Sequence, residues 1–299
     1  MKTIKVCACY LLNTGKLLQI TGPWGSLDIR SVFGADNLGS NPSRPAYSVS
    51  RGHNHKATQP DAPGMIIRYW SDFGCPFCYI AEVRMKKALA ELGIENETRI
   101  DFLAFELNPN ARKVPVRNVV EGFARHYGCS LDQAAAQVER IEAMGRGEGL
   151  VFRYGTARNS NTFDALRLTK LAQSKGYKFG NDFVTRMYKA YFEDNLVMAD
   201  HDVLRKIAAD AGMDAKEVDE LLDGDRFAEE VRKDEYDAHR LGINAVPFFV
   251  INDKYGIPGA VDIKDMKRVL MKAYSEEESE PIEAGMVCGP DGCHPAKKD

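Results

Sequence analysis

Ser71-Asp72-Phe73-Gly74-Cys75-Pro76-Phe77-Cys78 decides the fold, because it joins two stretches of different period. Before it runs Met65-Ile66-Ile67-Arg68-Tyr69-Trp70, an apolar and aromatic run of strand type. After it, Ile80, Val83, Ala88, Leu89 and Leu92 recur at helical spacing among Glu82, Lys86, Lys87 and Glu91, and Gly93 ends the pattern. The two cysteines therefore stand where a strand gives way to a helix. Cys75 is expected near the N-cap and Pro76 near the first helical position, where a missing N–H costs nothing. Free amide groups and the positive end of the helix dipole stabilise a thiolate at such a place, and the thiolate is the nucleophile in disulfide exchange. Cys78 is one turn on and faces the same side. The spacing thus makes Cys75 the attacking thiol and Cys78 the resolving one, with Pro76-Phe77 as an active-site dipeptide that supplies no cation. Two other readings are half of a structural zinc site, which needs a second pair nearby, and two core thiols.

Working outward, Glu97 to Leu107 alternates around Ile100, Leu103 and Phe105 as a second strand, which completes a β-α-β unit. A long helical middle follows. Ser130-Leu131-Asp132-Gln133 has the form of a capping box, Asp214-Ala215-Lys216-Glu217 repeats it, and Leu204, Ile207, Ala208 and Ala211 form an apolar stripe. Met187, Tyr188 and Phe192 read as core. Strand text returns at Val246–Ile251, turns at Asn252-Asp253-Lys254, resumes at Tyr255–Ala260, and a helix over about 262–274 closes the unit. The order predicts an α/β protein: a thioredoxin-like fold with a central mixed sheet and a large inserted all-helical domain. Its parts are a first half at 65–116, the insertion at 117–241, a second half at 242–275 and a flexible tail at 276–299. Residues 1–64, rich in Asn, Ser, Pro and Gly from Gly34 on, read as a disordered extension, with a small ordered subdomain as the alternative.

Val246-Pro247 opens the apolar run of the third strand. A proline there is expected either as a cis bond or as a trans residue that starts the strand. A cis bond would turn the Val246 backbone toward an extended peptide, which makes Val246 and Pro247 the candidate substrate-binding residues.

With these residues in view, positions 65 to about 275 resemble the DsbA family of thioredoxin-fold oxidoreductases, and within it the FrnE-like branch. The resemblance rests on Ser71 to Ile80, on Asn161-Thr162-Phe163-Asp164-Ala165, and on Gly242 to Phe249. It implies a dithiol oxidase, reductase or isomerase of protein disulfides, with a cis-proline loop beside the cysteines and no cofactor. Two departures stand out. Leu166 occupies a position where many relatives carry His, and Pro76-Phe77 differs from the Pro-His of strongly oxidising members.

Cys288-Gly289-Pro290-Asp291-Gly292-Cys293 is a turn flanked by thiols, which brings the two cysteines near disulfide distance. Some FrnE-like members carry such a Cys-x4-Cys, so the resemblance implies a second redox pair that exchanges with Cys75–Cys78, tethered by the acidic stretch Glu276–Glu283. A static disulfide, an idle tail and a metal clip with His294 are the other readings. Cys7 and Cys9 receive no role, Cys129 reads as a buried small side chain, and His126, His201 and His239 lack partners at metal-ligand spacing.

A net charge of −3 argues against a nucleic-acid partner, and no apolar run is long enough for a spanning helix. The apolar stretch Val6–Leu12 lacks the features of an export signal, so the expected compartment is the reducing cytoplasm, where close cysteine pairs tend to be catalytic. The expected partners are protein or peptide thiols and disulfides, with thioredoxin or glutathione for recycling. The rival functions are a glutathione-dependent isomerase of small aromatic compounds, whose relatives lack the second cysteine, and a metal-binding stress protein built on both cysteine pairs.

Overall fold

The computed structural model describes residues 64–277, together with the short strands Leu18–Gln19, Met286–Gly289 and Gly292–Pro295. Leu18–Gln19 (β1) pairs antiparallel with Tyr255–Gly256, so part of the stretch expected as an extension adds an edge strand to the sheet. The rest of residues 1–63 lies outside the described residues.

Met65–Ser71 (β2) is an interior strand, paired on both sides. The helix Pro76–Leu92 (α1) carries the chain across, and Gly93 ends it in the left-handed region at φ 71°. The return strand is Thr98–Ala104 (β3), parallel to β2 with Ser71 opposite Ala104. Its buried face is Thr98, Ile100, Phe102 and Ala104. Strict alternation places Phe102 in that register instead of Leu103, and Phe105 lies past the strand's end.

The regular elements of the insertion are all helical, among them a short 3-10 turn at Tyr154–Thr156. Its helices are Val119–Tyr127 (α2), Leu131–Gly147 (α3), Phe163–Ser174 (α4), Tyr177–Phe192 (α5), His201–Asp210 (α6), Ala215–Asp223 (α7) and Ala228–Arg240 (α8). Both capping bonds of Ser130 and Gln133 form, at 3.2 and 3.0 Å. Asp214 caps α7 by accepting from Glu217 N at 3.0 Å, and Asn118 with Glu121 makes a further capping box. Met187, Tyr188, Phe192, Leu204, Ile207 and Ala208 are buried, as their pattern predicts. Asp234 of α8 ties the insertion to the sheet: its carboxylate accepts from Ala104 N at 2.7 Å and its carbonyl from Trp70 Nε1 at 2.8 Å.

Phe248–Ile251 (β4) pairs antiparallel with β2, and Tyr255–Pro258 (β5) pairs with β4 around Asn252 and Asp253, both at positive φ. The sheet order is β1-β5-β4-β2-β3, a mixed thioredoxin-like sheet with a helical insertion, as the element order predicts. The closing helix Ile263–Glu277 (α9) packs against α1 and runs a few residues past the expected end near 274. In the tail, Met286–Gly289 (β6) and Gly292–Pro295 (β7) pair antiparallel on either side of the turn expected at Gly289-Pro290-Asp291-Gly292. Among the described residues no helix is long and apolar enough to cross a membrane.

Candidate active site

Sheet register positions the site. Trp70 pairs with Phe248 at the end of β2, so the turn that follows β2 meets the loop that precedes β4. Cys75 is the N-cap of α1 in extended conformation, Pro76 is at the first helical position, and the Val246–Pro247 peptide is cis. Cys75 Sγ lies 3.6 Å from the Val246 carbonyl oxygen, and Cys78 N donates to Cys75 O at 3.1 Å. The structure thus brings together Cys75, Cys78, Val246 and Pro247, which lie 171 residues apart at the Cys75–Val246 contact. Both thiols are 0% exposed and neither is in a disulfide; Pro76 and Phe77 are buried beside them. Two thiols one turn apart at a helix N-terminus can pass one disulfide between them, with the first sulfur held by a partner and the second displacing it.

The turn itself is held by a carboxylate that pattern reading does not single out. Asp72 Oδ1 accepts from Gly74 N at 3.0 Å, and its Oδ2 accepts from Leu107 N at 2.7 Å. The Thr162 hydroxyl also bonds this carboxyl. Burial pushes Asp72 up to about 6, against the opposing pull of those three donors. A Cβ at Gly74 would stand 3.8 Å from Asp72 Oδ1 and 4.0 Å from Thr162 Cγ2, ordinary packing contacts that put both residues beside the turn. Thr162 belongs to the Asn161–Ala165 segment, which places that segment against the cysteine turn. Asn161 N donates to Arg112 O at 3.0 Å, and its side chain donates to Glu106 at 3.2 Å. Leu166, next along, is fully buried and apolar.

Beneath the turn lies a second polar set. Ser71 Oγ and the Tyr188 hydroxyl are hydrogen-bonded, Tyr79 OH donates to Glu193 at 3.0 Å, and Glu82 follows Cys78 by one helical turn. Tyr69 and Tyr188 are both pushed up, first by burial and then in part by Cys78 and Glu82. Only the local part of this arrangement could be read in advance: Glu82 at four residues past Cys78 is visible in the sequence, its burial is not.

The remaining candidates disperse. Cys129 is half-buried rather than buried, directly after the end of α2, because the chain there passes over the surface from one helix to the next. His126 and His239 are exposed, and His201 Nε2 sits 2.9 Å from Asp164 Oδ2. The backbones of Cys288 and Cys293 are directly opposite in the tail hairpin, while their side chains and that of His294 lie outside the described residues.

Comparison with known proteins agrees with this geometry. Residues 66–271 match the model of the DSBA-like thioredoxin domain. A probable DsbA oxidoreductase from Streptomyces coelicolor is 34% identical and superposes with a TM-score of 0.69 over 78% of this chain and 100% of its own. The uncharacterized protein YwbO of Bacillus subtilis is 25% identical over 71% of this chain and 96% of its own length. A 2-hydroxychromene-2-carboxylate isomerase, 14% identical with a TM-score of 0.51 over 71% of this chain and 95% of its own, shares the fold. By the extent of the family match, the chain belongs to the DSBA-like thioredoxin domain family of oxidoreductases.

Proposed function

We propose that this chain is a thiol–disulfide oxidoreductase or isomerase of protein and peptide disulfides, of the FrnE-like branch, working in the cytoplasm. The observation that carries the reading is Cys75 at the N-cap of a 17-residue helix, with Cys78 one turn on and the Val246 carbonyl against its sulfur. The Cys75 thiolate attacks one sulfur of a substrate disulfide, which forms a mixed disulfide and releases the other substrate sulfur as a thiolate. Cys78 then attacks Cys75, its sulfur bonds to that of Cys75, and the second substrate thiol leaves. The substrate gains two electrons, and a thiol donor such as thioredoxin or glutathione restores the dithiol. Val246, beside the cis bond, offers the extended substrate a backbone partner. The α1 N-terminus favours the Cys75 thiolate, while Pro76-Phe77 adds no charge to it.

The tail pair Cys288–Cys293 serves as a relay in this reading. Directly opposite residues of an antiparallel pair stand about 4.5–5.5 Å apart at Cα, within the range a disulfide needs. Residues 278–287 can span at most about 36 Å. α9 ends beside the β4–β5 turn, where Glu276 bonds Tyr255 OH, at the end of the sheet away from Cys75. The length of α1, about 25 Å at 1.5 Å per residue, sets the distance to cover. The tail is long enough.

Cys75→Ala is expected to reduce insulin-disulfide reduction to background, and Cys78→Ala to trap a mixed disulfide on Cys75. Full activity in Cys75→Ala would refute the assignment. A redox potential unchanged by the double substitution Cys288→Ala and Cys293→Ala would remove the relay.

A further inference from the structure

Two loops beside the cysteine turn carry cations and no carboxylate. The first, residues 107–118, starts at Leu107 on the Asp72 carboxyl and holds Arg112, Lys113 and Arg117. The second, residues 149–163, meets the same carboxyl through Thr162 and holds Arg153 and Arg158. Neither loop contains Asp or Glu, on a chain whose net charge is −3. The loops meet twice: Asn161 N donates to Arg112 O at 3.0 Å, and Val119 N donates to Ala157 O at 2.9 Å. The first meeting puts Arg112 against the residue that precedes Thr162. The second puts Arg117 and Arg158 within two residues of one contact.

Arg112, Arg117 and Arg158 are exposed, and among the described residues no carboxylate pairs with them. Lys113 reaches Asp164 at 3.3 Å while its side chain stays mostly in solvent. Glu121, the carboxylate nearest Arg117 in sequence, accepts from Asn118 N at 3.1 Å. The surface of α6 to α8 is built differently: Arg205 pairs with Asp219, Lys206 with Asp210, and Arg232 with Glu106 and Glu235. Between the cations of the first loop, Val114 and Val116 are exposed as well. Like charges left without partners repel and add nothing to folding, so their gathering beside the cysteines points to a ligand of opposite sign.

We propose that Arg112, Arg117 and Arg158, with Lys113, receive acidic residues that neighbour the cysteine of a substrate protein, so that the enzyme acts preferentially on disulfides in acidic segments. This deepens the dithiol reading, on which it rests, by naming its substrate class. A substrate cysteine at Cys75 carries its chain past the turn that Leu107 and Thr162 flank, where the cations stand. A peptide fits this place better than a nucleic acid, because Val114 and Val116 offer apolar contact among the charges and the reacting group is a disulfide. The bonds made and broken are those of the dithiol cycle; the cations speed the encounter and hold the complex.

The test mixes the reduced full chain with synthetic peptides, each closed by one disulfide that holds a fluorophore against a quencher. They differ only in a short run beside one cysteine, which is all Glu, all Gln or all Lys. Rates are divided by those of dithiothreitol on the same peptides at high salt, which removes intrinsic differences between the disulfides. The Glu peptide is expected to react about tenfold faster than the Lys peptide at about 0.01 M salt, with Gln between. That ratio should fall toward one near 1 M, as the Debye length shrinks from about 30 to about 3 Å. Arg112→Gln, Arg117→Gln and Arg158→Gln together should bring the low-salt ratio to within about twofold of one. Arg140→Gln, Arg186→Gln and Lys264→Gln together, the same loss of charge at exposed positions of α3, α5 and α9, should keep most of it. Equal losses in the two variants would overturn the proposal, since net charge alone would then explain the preference. Should the first variant fail to fold, the wild-type salt series decides, and a ratio that salt does not move overturns the assignment. Equal peptide rates combined with binding of a single-stranded oligonucleotide would give the loops to nucleic acid instead. A wild-type chain that reduces all the peptides equally sinks the charge preference alone, and one that reduces none of them sinks the dithiol reading.

Discussion

Two buried carboxylate sites in this molecule are built in opposite ways. In the helical insertion, Asp164 is surrounded by donors: Arg167 Nη1 at 2.9 Å, His201 Nε2 at 2.9 Å and Lys113 Nζ at 3.3 Å. Arg167 is itself buried and donates to the carbonyls of Leu221, Gly224 and Arg226, at 2.5, 2.7 and 3.0 Å. Burial raises Asp164, but its partners outweigh that and hold it below the usual carboxylate range. Around the start of α1 the balance is reversed. Asp72 has only neutral donors, Glu82 has a single cation, and burial wins at both. A buried charge whose hydrogen bonds are complete joins elements of the fold. One left short is held above the ordinary carboxylate range by its burial.

The largest expected effect breaks the first kind of site. Arg167→Met leaves three carbonyls without their donor and weakens the hold on Asp164, so it is expected to cost about 3–5 kcal/mol of unfolding free energy. The alkylation rate of Cys75 in the folded fraction should not change. Urea unfolding beside thiol kinetics checks both. A loss below about 1 kcal/mol would mean that the insertion does not depend on this node.

Next comes a pH experiment in which the two kinds of site move in opposite directions. A carboxyl lowered by folding, as Asp164 is, adds stability above its unfolded value near 4, and that stability is lost as pH falls through the folded value. Asp72 is raised to about 6, so its ionisation costs nothing below about 4 and the full amount above about 6. The stability of wild type relative to Asp72→Asn is therefore expected to fall by about 2–3 kcal/mol between pH 4 and 7. A difference that stays flat across this window would show that the cysteine turn carries no titrating carboxyl.

What the sequence made legible follows the same division. Cys75, Pro76, Cys78 and Gly93 declare themselves through local rules, because caps and turns are decided by residues within one turn of each other. The pairing of Val246 with the cysteines was legible only through the strand-opening proline. Asp72 to Thr162, Ser71 to Tyr188 and Asp164 to His201 span 90, 117 and 37 residues, and no periodicity encodes such meetings. Strand β3 teaches a smaller lesson: Leu103 is apolar, yet the alternation set by Ile100 assigns Phe102 to the buried face. Leu18–Gln19 joins the sheet edge without any apolar period to announce it.

The smallest effects sharpen the comparison most, because they remove the same kind of group from each site. Lys113 and Lys86 are each the solvent-facing cation of a buried carboxylate, with side chains 66% and 43% exposed. Exposed ion pairs are worth roughly 0–1 kcal/mol, so Lys113→Ala and Lys86→Ala should both change unfolding free energy by less than about 1 kcal/mol. The titrations should part company. Asp164 keeps Arg167 and His201 after Lys113 is gone, so its carboxyl signal should rise only slightly in a carbon-13 NMR titration. Glu82 loses the ammonium that opposes its burial, so its signal should move to higher pH by an amount that is readily measured. Equal shifts at the two carboxyls would mean that Glu82 is buffered by partners as Asp164 is, and the distinction between fully and sparsely partnered carboxylates would lose its basis.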